Sequence, residues 1–162
     1  MDGPSTPAIE AVETAGLPHR VVRTARAASA EESAELQGIP IGALLRTIVV
    51  RRGEDDYVLV LVPAGRRFDW PKLRAHLEVS RLSLPDADDA REATGYERYT
   101  ITPFGAVQSW PVVLDESAMG HRQVSVGGGA FGVNIHLAPD DLARHFAADV
   151  LDVSDVSAPV GR

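Results

Sequence analysis

The sequence predicts an α+β fold: a single compact domain over residues 1–162, with a mixed β-sheet and flanking helices. Three observations carry this. The elements run in the order αβα-ββ-α-α-βββ-α, without the βαβ alternation of a doubly wound sheet. Two apolar, β-branched runs, Leu44 to Val50 and Tyr57 to Val62, flank Gly53-Glu-Asp-Asp56 and read as a central antiparallel hairpin. The chain has 162 residues, 44% hydrophobic and 24% charged, which suits one globular core.

The elements follow from local chemistry. Thr6-Pro7 reads as an N-cap with proline in the first turn, and Gly16 closes a helix that carries Ile9 and Val12 on one face. Leu17 to Arg23 reads as a short strand. Ser29-Ala-Glu-Glu32 has capping-box spacing and opens a helix that stops at Gly38. Asp69 caps a helix through Leu73 and Leu77, and a short helix over Ala87 to Thr94 ends at Gly95. A loop from Tyr96 to Ser109 precedes a strand at Pro111 to Asp115. Gln123 to Val126 and Val133 to Leu137 flank a glycine-rich turn. Pro139-Asp-Asp141 starts a last helix with acidic residues at its positive end. Leu151 and Val153 suggest one final edge strand before a polar tail.

Composition narrows the chemistry. The chain has no cysteine, which removes disulfides, zinc–thiolate sites, iron–sulfur clusters and a thiol nucleophile together. No apolar run reaches membrane-spanning length, and MDGPSTPAIE lacks the basic and apolar regions of a signal peptide, so a cytoplasmic protein without a membrane partner is expected. The net charge is -7, and all of it falls in residues 82–162; the preceding half is balanced. Nucleic-acid binding would therefore depend on a local patch. Fifteen of the sixteen basic residues are arginine, and the one lysine is Lys72.

Catalytic signals are few. The five histidines show no metal-ligand spacing, so no metal is expected, and His136 reads as structural or solvated. No Gly-x-Ser-x-Gly elbow presents a nucleophile. The glycines from Gly127 to Gly132 precede a strand, not a helix, so they are not a dinucleotide fingerprint. They read either as a hairpin loop needing positive φ or as backbone N–H groups open to a ligand.

An ordered series of motifs carries more. It comprises His19-Arg-Val-Val-Arg-Thr24, Ser29-Ala-Glu-Glu-Ser-Ala-Glu-Leu-Gln-Gly-Ile-Pro40 and Leu44-Leu-Arg-Thr-Ile-Val-Val50. Thr94-Gly-Tyr-Glu-Arg98 with Thr102-Pro-Phe-Gly105 follows, then Val124-Ser-Val-Gly-Gly-Gly129, Gly132 and Leu137-Ala-Pro-Asp-Asp-Leu142. The series resembles the YbaK/EbsC family, a domain also found inserted in bacterial prolyl-tRNA synthetases, over residues 17–155. The resemblance implies a freestanding, trans-editing aminoacyl-tRNA deacylase acting on a tRNA mischarged with a small amino acid. Its chemistry would be substrate-assisted and need no cofactor. Aminoacyl-tRNA is the implied partner and a synthetase a further candidate; the oligomeric state stays open.

The resemblance also implies site residues. Arg46, followed by Thr47, stands where the family has its essential lysine, either as an electrostatic substitute or as a surface strand charge. Pro103 matches the proline of the family's Gly-x-x-x-Pro loop, but Tyr99 replaces the glycine. A tyrosine takes positive φ with difficulty, so the ring is expected to narrow the pocket or the loop to bend differently. Gly127, Gly128 and Gly129 would offer backbone, and Asn134 a hydrogen bond, to the substrate. His19 is a candidate lining of the amino-acid site. Arg20, Arg23, Arg26, Arg51 and Arg52 are the candidate tRNA patch. Two other readings remain: a catalytically degenerate module that binds tRNA, a synthetase or a small ligand, and a different acyl-ester hydrolase on the same fold.

Overall fold

The computed structural model describes residues 3–156, so the expected polar tail lies outside the described residues. Helix α1 (Pro7–Ala15) is capped as expected. Thr6 Oγ1 accepts from the Ile9 N–H, Gly16 closes the helix at φ 70°, and Ala8, Ile9 and Val12 are buried. Strand β1 (Arg20–Arg23) is shorter than the expected Leu17 to Arg23. At α2 (Ala30–Gln37), Ser29 accepts from the Glu32 N–H while the Glu32 carboxylate turns back to the Ala28 N–H. After a 3₁₀ turn (Ile41–Ala43) come β2 (Leu45–Gly53) and β3 (Asp56–Pro63), the expected hairpin. A three-residue strand, β4 (Arg66–Phe68), is not predicted by the sequence.

Helices α3 (Trp70–Leu77) and α4 (Ala87–Thr94) are capped by Asp69 and Asp86. Then come β5 (Val112–Asp115), a second 3₁₀ turn (Glu116–Gly120), β6 (Val124–Gly127), β7 (Val133–Leu137) and α5 (Pro139–Phe146). The single edge strand expected around Leu151 and Val153 is two strands instead, β8 (Asp149–Leu151) and β9 (Ser154–Val156). Val153 sits between them, fully buried. Its N–H donates to the Asp115 carboxylate and its carbonyl accepts from the Asp69 N–H. That anchorage breaks the segment in two.

The strands form orders β1-β7-β6, β2-β3-β5-β8 and β4-β9, with β3-β5 and β5-β8 parallel and the other pairs antiparallel. The first two groups meet at one parallel bridge, Leu44 with Ser125. One core gathers Leu45, Val49, Leu59, Leu61, Val126, Ile135 and Leu137 with α1, α5 and the Tyr96–Phe104 segment. A second gathers Val50, Val58, Val60, Val62 and Val113 under Leu73 and Val153. Successive residues of β2 and β3 face opposite ways, so the two cores lie on opposite sides of the hairpin.

Candidate functional site

The site lies where β2 and β6 part. Residues paired across strands share a face of the sheet. Asn134 on β7 is opposite Gly127 on β6 and Val22 on β1. Two residues beyond the Leu44–Ser125 bridge stand Arg46 on one strand and Gly127 on the other. The row therefore reads Val22, Asn134, Gly127, Arg46 and, on β3, Val62. Arg46 and Asn134 thus point to one side of the sheet, with a bare glycine between them.

The Thr100–Ile101 stretch of the loop from Tyr99 to Pro103 borders this row, while Pro103 lies beside Leu59 and Phe146. A β-carbon at Gly127 would come within 3.1 Å of the Ile101 carbonyl oxygen and 3.5 Å of that of Thr100. The absence of a side chain at Gly127 favours so close an approach, since a β-carbon there would push the Ile101 carbonyl back by a few tenths of an ångström. Tyr99 differs from expectation. It adopts φ 72°, the glycine-like conformation, because the Thr100 N–H bonds to the Glu97 carbonyl and makes Tyr99 the third residue of a tight turn. Its ring is 79% exposed, with the Arg98 guanidinium 5.1 Å from its centre, so it narrows no pocket. Pro103 is buried.

Arg46 is exposed, yet the protein atoms around its guanidinium desolvate it and lower its pKa from the ordinary arginine value. It stays charged at any physiological pH. One Nη2 N–H donates to the Arg66 carbonyl at 3.1 Å. Arg66 is itself fixed: its Nε donates to Ser154 Oγ at 2.6 Å and lies 3.8 Å from Asp115 Oδ2. Asp115 is 1% exposed and also accepts from the Val153 and Ser117 N–H groups and the Ser117 hydroxyl. Sequence reasoning missed Arg66, Asp115 and Ser154. The only local signal was Ala64-Gly65 after the β3 run, a turn able to start a third strand.

Thr47 faces the opposite side from Arg46, and its Oγ1 is buried with no hydrogen-bond partner among the described residues. Such a hydroxyl calls for a water or a ligand atom. Asn134 donates from Nδ2 to the Val22 carbonyl at 3.3 Å, which fixes the amide and leaves its oxygen available. Of the two readings of the glycine turn, the hairpin loop with positive φ is the one observed, at Gly129 and Gly132. The Gly128 N–H is taken by the Val133 carbonyl, and the Gly128 carbonyl accepts from the buried Thr6 hydroxyl at 2.6 Å. Gly129, at φ 88°, packs against the Tyr96 ring. Gly128 and Gly129 therefore shape the site, and Gly127 borders it.

His19 is half-buried, and its Nδ1 donates to the Leu17 carbonyl at 2.7 Å. It precedes Val22 by three residues, about 10 Å along an extended chain, and is not in the Arg46 row. The five patch arginines divide. Arg20, Arg23 and Arg26 lie on β1 and just beyond it, while Arg51 and Arg52 lie at the far end of β2, with β7 and β6 between the two groups. Arg23 donates to the Pro4 carbonyl, Arg51 to the Gly53 carbonyl, and Arg52 forms a two-bond pair with Asp56. Arg26 lies 3.8 Å over the Phe131 ring.

His136 is structural. It is 3% exposed, and its Nε2–H donates to Gln37 Oε1 at 2.8 Å, an oxygen that also accepts from the Ser125 hydroxyl. Burial, then the Arg20 charge, lower its pKa and hold it neutral. Among the described residues no group of three His, Cys, Asp or Glu side chains could hold a metal ion. Among the described residues no helix is long and apolar enough to cross a membrane.

The α+β domain thus brings a fixed cation, a bare glycine and an amide to one side of its sheet. The chain belongs to the aminoacyl-tRNA editing domain family, whose family model matches residues 24–145, in agreement with the YbaK/EbsC resemblance of its motifs. It is 30% identical over 112 residues to EbsC of Enterococcus faecalis, a protein named for Cys-tRNA(Pro)/Cys-tRNA(Cys) deacylation; the match covers 69% of this chain and 68% of that one. It is 27% identical over 129 residues to the proline–tRNA ligase of Thermosipho melanesiensis, covering 80% of this chain but 22% of the ligase. A crystal structure described as a trans-editing enzyme for prolyl-tRNA synthetase superposes with TM-score 0.84 at 27% identity, covering 94% of this chain and 99% of the other.

Proposed function

We propose that the chain is one freestanding, trans-editing aminoacyl-tRNA deacylase domain of the cytoplasm, acting on a tRNA mischarged with a small amino acid. The observation that carries the reading is the row of Arg46, Gly127 and Asn134 bordered by the Thr100–Ile101 stretch. In the reaction, water adds to the ester carbonyl carbon and the bond to the terminal ribose oxygen breaks. The ribose regains its hydroxyl proton, and the amino acid leaves as its carboxylate. The adjacent ribose hydroxyl or the substrate's own side chain guides the attack.

Arg46 supplies positive charge to the oxygen that turns anionic, a role that needs no deprotonation. Asn134 orients the ester, and the glycine turn leaves room for it; Thr47, on the other face of β2, takes no part in holding it. Holding reactants and donors in place can itself account for several orders of magnitude in rate. The acidic second half of the chain predicts modest affinity for tRNA, with a salt dependence set by the local arginines.

The test is deacylation of a panel of mischarged tRNAs by the purified protein. Hydrolysis of at least one, lowered on the order of 100-fold by Arg46→Ala, is expected for loss of a preorganised charge. No hydrolysis of any tRNA, with none restored by Arg46→Lys plus Tyr99→Gly, would sink the enzymatic reading. Binding without turnover would place the chain among non-catalytic tRNA-binding modules.

A further inference from the structure

Resting on the editing reading, we propose that Arg26 is a stacking seat for an amino-bearing base at the single-stranded 3′ end of the tRNA. Arg26 lies just past β1 and forms no ion pair among the described residues. Its guanidinium carbon sits 3.8 Å from the centre of the Phe131 ring, so one face of the cation is backed by an aromatic plate. Phe131 belongs to the glycine turn and is 37% exposed. The turn is tied to the same stretch of chain, because the Thr24 N–H donates to the Gly132 carbonyl at 2.8 Å. A side chain at Gly132 would collide with the Thr24 carbonyl. The plate and its backing are thus held in register.

Arg26 also lines a depression of about 450 Å³ with Ala25, Glu32, Glu35 and Leu36. Leu36 is 47% exposed, an apolar wall. Glu32 is engaged by the Ala28 N–H; Glu35 has no side-chain partner among the described residues. A cationic plate, an apolar wall and an uncommitted carboxylate describe a seat for a flat base that donates hydrogen bonds. Guanidinium planes stack on bases, and a carboxylate accepts from an exocyclic amino group. Two carboxylates in the same hollow argue against a phosphate. Cytosine and adenine, which make up the CCA end of tRNA, both carry that amino group; uracil does not.

The location fits. Helix α2 lies on the Arg46 side of the sheet, since its Gln37 bonds to Ser125 and His136, which share that face two residues from Gly127 and Asn134. The Thr24–Gly132 contact is two residues beyond the Val22–Asn134 pair, about 7 Å along the strands. Arg46 and Val22 are three strand spacings apart, about 14 Å, and Arg26 lies beyond Thr24, so the single-stranded end of a tRNA with its ester at the Arg46 row would cross β6 and β7 to reach Arg26.

The experiment is a fluorescence-anisotropy titration of the intact protein with an uncharged, single-stranded RNA ending in CCA and one of equal length ending in UUU. The CCA strand should bind more tightly. Arg26→Lys, which keeps the charge but not the plane, and Phe131→Ala should each weaken CCA binding on the order of tenfold and abolish the preference. Equal affinity for both strands, or an Arg26→Lys protein that binds like wild type, overturns the proposal. The assay uses no ester, so hydrolysis without base preference removes this seat and leaves the editing function. An Arg26-dependent preference without hydrolysis of any mischarged tRNA does the reverse.

Discussion

Tyr99 offers a quantitative check on the substrate loop. A non-glycine residue at φ 72° carries strain of about 1–2 kcal/mol relative to glycine. The side chain returns little, because the ring is 79% exposed and its one aromatic contact is Arg98 at 5.1 Å, worth about 0.5–1 kcal/mol at an exposed site. Comparing Tyr99→Gly with Tyr99→Ala removes the ring from both proteins and isolates the backbone term. Glycine relieves the strain but makes the unfolded chain more disordered, by about 0.4–1 kcal/mol. The glycine variant should therefore be the more stable by about 0.5–1 kcal/mol, or roughly 1–4 °C in Tm for a chain of this length. At an ordinary φ the sign would be reversed. Urea denaturation with matched slopes measures the difference. An alanine variant as stable as the glycine variant, or more so, would refute the claim that the turn imposes a left-handed residue at 99. The Tyr99→Gly loop should keep its path, so its deacylation rate should stay near wild type.

Two further predictions concern the packing around the site. The Tyr96 hydroxyl donates to the Phe104 carbonyl at 2.6 Å, and burial pushes its pKa up to about 12. A raised folded-state pKa means stability that is present below about pH 10 and lost as pH rises towards 12, on the order of 3 kcal/mol in total. Tyr96→Phe should remove that alkaline slope and cost about 1–2 kcal/mol at neutral pH, both measurable by denaturation at pH 7.5 and 10.5. For His136 the folded pKa is lowered, so the sign is opposite: its contribution is present above about pH 6.5 and lost as pH falls. His136→Gln, whose amide can still donate to Gln37, should flatten the stability profile between pH 7 and 5; an unchanged slope would mean that another group titrates there.

What the sequence reveals and what it hides separate by range. Three capped helix starts, at Thr6, Ser29 and Asp69, were legible because each cap joins residues three apart, whereas the cap at Asp86 was not read from the sequence. The β2–β3 hairpin was legible because its apolar alternation and its turn lie in one short stretch. The β4–β9 pair was not. Each strand has three residues, and they meet across 88 positions through Arg66 and Ser154. The Thr6–Gly128 bond, 122 positions apart, likewise left no local trace, so an open nest stood as the alternative to a hairpin loop. Tyr99 shows a third kind of failure. Propensity says that tyrosine avoids positive φ, but the bond from the Thr100 N–H to the Glu97 carbonyl sets the backbone first. Motif order placed Arg46, Gly127 and Asn134 in one site without saying how far the strands part.

The missed contacts bear on why arginine can stand at position 46. An ammonium has three rotatable N–H donors on a flexible stem, whereas a guanidinium has five in a fixed fork. Here one donor of the fork is held by the Arg66 carbonyl, and that carbonyl is immobilised by the hold of Arg66 on Ser154 and buried Asp115. Four donors remain, on a plane whose orientation is already set. The rotamer freedom that an exposed arginine would lose on meeting an ester is therefore partly restricted beforehand, which is what preorganisation requires. The proposed role of the cation would then depend on elements past β2: the Arg46 guanidinium is held by β4, and β4 pairs with β9.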